Sequence, residues 1–290
     1  MNSKTETFIV PYLPKPARLQ DFGVGFFKLA YTKSALKKAI KKNYITINGI
    51  TATTARFVSG GETIKLTMPL ETKASKKLVF PLKVLFQDDD LAAINKPAGV
   101  LVSGNGFVTV ANALNQNLTP SLSTDATLPQ PVHRLDYATT GVLLIGKTNS
   151  SIRALNAQFE QKQVLKTYYA INIGKMSTSG TIQIPIDQKA STTHYTVCKT
   201  VSSSRFGQLN LLKLNPTTGR KHQIRKHLQS VGNPILGDRD YGLDGMLLKG
   251  KGMYLHAHTI IFTHPVTQKT QQIISPFPKR FTKIFESLNT

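Results

Sequence analysis

An α+β chain in two unequal parts is what this sequence predicts, on three observations. A lysine-rich stretch of helical periodicity near the N-terminus runs straight into a hairpin pattern. Two apolar runs joined by three aspartates, KLVFPLKVLFQDDDLAAINKP, read as strand, turn, strand and open a larger part near residue 78. Charge is divided unevenly across that boundary: thirteen Lys and Arg against three Asp and Glu lie between Pro14 and Leu78. We therefore expect a small domain at 14–78 and a large one at 79–290.

Within the small segment, KSALKKAIKKN (33–43) places Ala35, Leu36, Ala39 and Ile40 on one helical face. Lys33, Lys37 and Lys41 line another face, with Lys38 and Lys42 beside them. Tyr44 to Ile47 then alternates as a strand, Asn48-Gly49 is a tight-turn signal, and Gly60-Gly61 precedes the strand pattern Thr63 to Leu66. A lone run of lysines is most simply a solvated face. Here the run carries no acidic residue and a hairpin follows at once, which favours a binding face.

The whole chain carries the same bias. It has 37 Lys and Arg against 15 Asp and Glu in 290 residues, a formal charge of +22, with 40% hydrophobic residues to build a core. Such a surplus needs an anionic partner, and the dense phosphates of nucleic acid come first. An anionic membrane comes second, but no long basic amphipathic helix supports it. Cys198 is the only cysteine and forms no intrachain disulfide. The opening residues MNSKTETFIVPYLPKP lack a signal-peptide core, and no apolar run approaches the ~18 residues that span a bilayer. The expectation is a cytoplasmic monomer without a membrane partner.

Three stretches carry candidate chemistry. PVHRLDYATTGVLLIGKT sets Asp136 in a polar loop just before an apolar strand, with His133 and Arg134 beside it. An isolated His-Arg-X-Asp is most simply an Arg–Asp pair tying a loop. A kinase catalytic loop is excluded because its glycine loop, strand lysine and Asp-Phe-Gly are missing. In LKTYYAINIGK, Lys166 and Tyr168 share a strand face by period two, and Tyr169 reads as a structural aromatic. In LLKLNPTTGRKHQIRKHLQ, a strand leads through a turn into a helix starting near His222. Arg220, Lys221, His222 and Arg225 make that turn and helix start electropositive, a natural phosphate site.

Two resemblances follow from these motifs. The basic helix, YITINGI and GGETIKL resemble the alpha-L RNA-binding domain, although Thr32-Lys33-Ser34 stands where that family often has Ser-Arg. The three stretches in order, with NKPAG (95–99), GNPILGDRDYG (232–242), LHAHTIIFTHP (255–265) and SPFPKRF, resemble the RluA-type pseudouridine synthases over roughly residues 80–290. That resemblance implies a mixed, mostly antiparallel central sheet with flanking helices and loops and a cleft across its middle. It implies Asp136 as catalytic carboxylate, Tyr168 as active-site tyrosine and Arg225 as the arginine paired with Asp136. Thr140 stands for a common Ser, and Leu101-Val102-Ser103 stands where a His is common. The implied reaction isomerises uridine in structured RNA, most simply large-subunit ribosomal RNA, without a cofactor. Lys33, Lys37, Lys38, Lys41, Arg134, Arg220, Lys221 and His222 are the expected RNA contacts.

The remaining candidates are set aside. Asp88-Asp89-Asp90 reads as a hairpin turn rather than a metal site, and His256, His258 and His264 lack a Cys or carboxylate to complete a zinc set. No metal is expected. Transfer RNA is the alternative substrate, a silent RNA-binding assembly factor the alternative function. A methyltransferase is disfavoured because no glycine-rich nucleotide loop follows a strand.

Overall fold

The computed structural model describes residues 3–69, 78–243, 245–246, 248, 250 and 252–286. The chain divides into two compact units, 1–77 and 78–290. Residues 70–77, the end of the small domain expected from the sequence, lie outside the described residues.

In the first unit, strands β1 (Ser3–Ile9), β2 (Ala17–Arg18), β3 (Ile45–Ile47), β4 (Ile50–Thr51), β5 (Phe57–Val58) and β6 (Thr63–Pro69) accompany the short helix α1 (Leu19–Phe22) and the helix α2 (Lys33–Lys41). Thr32 caps α2 by accepting the Ala35 amide at 3.2 Å. Asn43, at φ +59°, then turns the chain out of the helix. Leu36, Ala39 and Ile40 pack on Ile45, Ile47, Ile64 and Leu66 of the sheet β1-β6-β3-β4. Asn48 and Gly49 both take positive φ, the requirement of the two-residue hairpin read from Asn-Gly. Strand β1 precedes residue 14, yet pairs antiparallel along the full length of β6. Its side chains are mostly exposed on this sheet edge, so its sequence carries little apolar alternation.

The second unit is built on one mixed sheet. Its strands are β7 (Lys83–Gln87), β8 (Leu91–Lys96), β9 (Ala126–Pro131), β10 (Thr140–Thr148), β11 (Leu165–Ile173), β12 (Ser179–Ile182), β13 (Thr193–Ser203), β14 (Gly207–Pro216), β15 (Leu255–Thr263) and β16 (Thr270–Ile274). The order is β12-β13-β14-β11-β15-β10-β8-β7, with β9 on β10 and β16 on β15. Every pairing of these strands is antiparallel except β10 with β15, where Thr140 meets His256 and Gly141 meets Ala257. Helices α3 (Val110–Asn117), α4 (Asn149–Glu160), α5 (Gln223–Ser230) and α6 (Lys279–Thr282) complete it.

The strand period decides which helix each residue meets. Ala92, Ile94, Leu143 and Ile145 face the cluster containing α3, through Val110, Ala113 and Leu114. Leu91, Ala93, Val142 and Leu144 face the cluster containing Leu155 of α4. With both faces covered, β10 is buried at every position, which is why its sequence is a continuous apolar run without alternation. Gly141 makes the parallel step possible: a Cβ there would sit 2.0 Å from the Ala257 carbonyl oxygen, at φ +118°. Among the described residues no helix is long and apolar enough to cross a membrane.

Candidate active site

Asp136 stands on the loop between β9 and β10, and the sheet holds that loop from two sides. The Thr139 amide donates back to the Asp136 carbonyl at 3.1 Å, and the Gly99 amide donates to the Tyr137 carbonyl at 2.8 Å. From below, the ammonium of Lys96 donates to the carbonyls of Pro97 (2.9 Å), Tyr137 (3.3 Å) and Thr139 (2.9 Å). Lys96 has no exposed surface. Burial lowers its pKa to about 8, against the opposing pull of Asp136. His133 secures the start of the loop, where its Nε2 accepts the Leu144 amide at 3.0 Å. Burial pushes that imidazole well below its ordinary value, so it is neutral, as an acceptor nitrogen requires.

Tyr168 reaches the same place from β11, where it lies opposite Leu214 and Ala257. The β11–β15 register shifts between Thr167 and Tyr168, yet Lys166 and Tyr168 still line one cavity, as period two requires. Burial first, and then the charge of Asp136, push the Tyr168 phenol above its ordinary value. The resting site therefore holds a protonated phenol.

The third contribution comes from the turn after β14. Gln223 locks it: its Oε1 accepts Thr218 Oγ1 (2.7 Å) and the Arg220 amide (3.0 Å), and its Nε2 donates to the Thr192 carbonyl (2.9 Å). His222 sits at the turn's end with φ +55°, a left-handed conformation uncommon outside glycine. Its Nε2 is 3.8 Å from Asp136 Oδ1, and its Nδ1 is 3.0 Å from the Tyr241 hydroxyl. Burial lowers the His222 pKa, with Asp136 opposing. One helical turn on, Arg225 Nη1 stands 3.8 Å from Asp136 Oδ2. That pair is longer than a hydrogen-bonded ion pair, because the guanidinium is committed elsewhere. Its Nε and Nη2 bind both oxygens of Asp238 at 2.7 Å, and Nη2 binds Asp240 at 2.6 Å. Burial opposes its charge, but these carboxylates overcome the penalty and hold Arg225 above its ordinary value.

Asp136, Tyr168, Arg225, Arg134, Arg220, Lys221 and His222 thus line one cavity of about 580 Å³, with Lys166 and Lys162 also on its wall. It offers a carboxylate, an aromatic face and a cationic rim, which suits cleavage at an electron-poor sugar carbon beside phosphates. Lys37, Lys38 and Lys41 line a separate basic groove in the first unit, with Arg18 and Lys42. Lys33 does not line it and pairs with Asp21 at 2.6 Å. The three histidines form no common ligand set among the described residues, although the His256 and His258 rings meet edge-on at 6.1 Å between centroids. His256 meets Thr140 Oγ1 at 2.8 Å, so the threonine hydroxyl has a structural partner, while His264 meets Asp88 at 2.8 Å. Asp88, Asp90 and His264 form the only group of three potential ligands among the described residues. Asp88 there builds the hairpin turn, accepting the amides of Asp90 and Leu91. Lys96, Asp238, Asp240 and Tyr241 lie inside the motifs NKPAG and GDRDYG, but the sequence alone gives them no role. Their site partners Arg225, His222 and the Thr139 carbonyl lie 13 to 43 residues away along the chain, and no local pattern names them.

A family model described as RNA pseudouridylate synthase matches residues 90–230. The chain is 31% identical to ribosomal large subunit pseudouridine synthase D of Pasteurella multocida, covering 89% of this chain and 87% of that protein. It is also 31% identical to ribosomal large subunit pseudouridine synthase C of Rickettsia conorii, covering 93% and 97%. The solved structure of human RNA pseudouridylate synthase domain containing 4 is 26% identical and superposes with a TM-score of 0.58, over 71% of this chain and 93% of that one. Sheet, cleft and comparisons together define an RNA-modifying isomerase. The chain belongs to the RNA pseudouridylate synthase family and is an enzyme that converts uridine in RNA to pseudouridine.

Proposed function

We propose that this enzyme modifies uridines of large-subunit ribosomal RNA in the cavity around Asp136, and that its N-terminal unit is an alpha-L domain that holds the RNA by its phosphates. The observation that carries the catalytic reading is the convergence of Asp136, Tyr168 and Arg225 from three separate elements on one cavity. The names of the Pasteurella and Rickettsia relatives support the ribosomal substrate.

The reaction breaks the bond from C1′ to N1, turns the base, and joins C1′ to C5. The proton lost from C5 balances the one gained at N1, so side chains suffice. The target base is flipped out of its stack to reach the cavity. Cleavage leaves C1′ electron-poor, and Asp136 serves it as nucleophile, as base at the neighbouring carbon or as electrostatic partner. Its nearest basic atoms, His222 Nε2 and Arg225 Nη1, both stand 3.8 Å away, which leaves its oxygens available to the sugar. The protonated Tyr168 ring forms a wall for the base. Arg134, Arg220 and Lys221 on the rim take the flanking phosphates.

Carbodiimide-block primer extension, in cells with and without this protein, tests the substrate. We expect loss of specific stops in large-subunit ribosomal RNA, restored by the wild-type gene. Stops lost only from transfer RNA would reassign the substrate, and an unchanged pattern of stops would leave a binding protein.

A further inference from the structure

We propose that Asp238 is a positioning residue for catalysis: this single buried carboxylate fixes both basic side chains that face Asp136, Arg225 and His222, each through its own arm. The inference rests on Asp136 being the catalytic carboxylate.

The first arm runs through Arg225. Asp238 Oδ2 accepts Nε and Oδ1 accepts Nη2, both at 2.7 Å, in the planar fork geometry that only arginine offers. Asp238 has 1% exposure and Arg225 5%, so neither side chain has room to turn. Asp240 takes the second hydrogen of Nη2, and the Tyr241 ring lies 4.8 Å from the guanidinium carbon. Only the Nη1 end is left to face Asp136. A freely rotating arginine would close on Asp136 at hydrogen-bond distance and occupy the oxygens that the sugar needs. The clamp holds it at 3.8 Å.

The second arm runs through the backbone. The same Oδ1 of Asp238 accepts the amides of Asp240 (3.1 Å) and Tyr241 (3.2 Å) and so shapes the turn that carries both. The Tyr241 hydroxyl then meets His222 Nδ1 at 3.0 Å and aims its Nε2 at Asp136 Oδ1. His222 occupies a strained left-handed conformation, which persists only where neighbours over-determine it. The two arms share Oδ1 of Asp238 at their start and end on different oxygens of Asp136.

Asp238→Asn separates this role from simple folding. The asparagine oxygen at the Oδ1 position still accepts the two turn amides and Nη2, while its NH2 meets the Nε donor of Arg225, breaks one of the two clamp bonds and removes the charge that held the guanidinium. Tritium release from RNA labelled at C5 is measured in single turnover with saturating enzyme, affinity by filter binding, and folding by thermal melt. We expect the chemical step to fall by about a hundredfold, as small misplacements of catalytic groups do, with the dissociation constant nearly unchanged. In an Arg225→Gln background, Asp238→Asn should add little, because it acts mostly through Arg225. Tyr241→Phe, which keeps the ring and removes the hydroxyl, should slow the chemical step without altering affinity. A folded Asp238→Asn with wild-type rate overturns the proposal, as do losses that multiply fully in the double variant. If Asp238→Asn does not fold, Tyr241→Phe decides, and a wild-type rate there overturns it. Asp136→Asn is run alongside: its activity would sink the underlying catalytic reading, whereas an inactive Asp136→Asn beside a wild-type Asp238→Asn sinks only this inference.

Discussion

The ammonium of Lys96 donates to the carbonyl of Thr139 at 2.9 Å, across 43 residues of chain, and so ties the end of β8 to the loop that carries Asp136. The lysine is a buried strut, and its charge replaces the water that three backbone carbonyls would otherwise bind. Lys96→Met keeps the volume and removes the donors. We expect it to lose about 3 kcal/mol of stability, the scale for leaving buried polar groups unpaired. Urea denaturation checks the loss. A second measure is faster hydrogen exchange of the Gly99 and Thr139 amides, whose acceptors lie in the same loop.

Asp136 itself yields the sharpest expectation. Asp136→Asn keeps the side chain's shape and lets the loop stand, since Lys96 and His133 hold that loop through other atoms. Turnover should fall by several kcal/mol of barrier, on the order of a thousandfold or more, with folding and RNA affinity retained. Tritium release from uridine labelled at C5 reports it, and near-wild-type release would remove Asp136 from the mechanism.

The state of Tyr168 bears on how the final proton leaves. Its phenol is held protonated by burial and by Asp136. If a preformed phenolate were the working base, its population and the rate would rise about tenfold between pH 6.5 and 7.5. We expect no such rise in the single-turnover rate, because burial and Asp136 keep the Tyr168 phenol protonated across that range.

His256 sets an acid limit on stability. Burial lowers its pKa to about 4, with the hydrogen bond to the Ser275 carbonyl opposing. The neutral ring accepts from Thr140 at Nδ1 and donates to Ser275 at Nε2. The unfolded chain takes up a proton near its ordinary 6.5 while the folded ring does not. Its contribution is thus complete above about pH 6.5 and is lost as pH falls toward 4. A gap of that size is worth on the order of 3 kcal/mol. Unfolding free energies measured between about pH 7 and 4 should fall less steeply for His256→Gln than for wild type; equal slopes would clear His256 of this role.

The N-terminal groove makes a separate prediction. Lys37, Lys38 and Lys41 lie on the exposed side of α2 and line it. Replacing all three with Ala should weaken RNA binding and flatten its salt dependence by roughly 0.7 to 0.9 in log–log slope for each phosphate that is no longer neutralised. The chemical step at saturation should hold, since uniform binding does not speed it. A bound step slowed a hundredfold would instead give this unit a part in shaping the active complex.

The sequence by itself determined the local elements. Leu36, Ala39 and Ile40 announced α2 by spacing, Asn48-Gly49 announced its turn, and the three aspartates announced the hairpin between β7 and β8, because each signal lies within a few residues. Motif order also pointed to Asp136, Tyr168 and Arg225 as a group. Tertiary structure decided what those groups touch. It set Arg225 on Asp238 rather than hard against Asp136, placed Lys96 under a loop 43 residues away, and recruited β1 to β6 although its side chains show little alternation. A hydrogen bond across the sheet depends on register and crossover, as where Gly141 passes the Ala257 backbone. Register is a property of the folded sheet and leaves no mark at the residue that benefits from it.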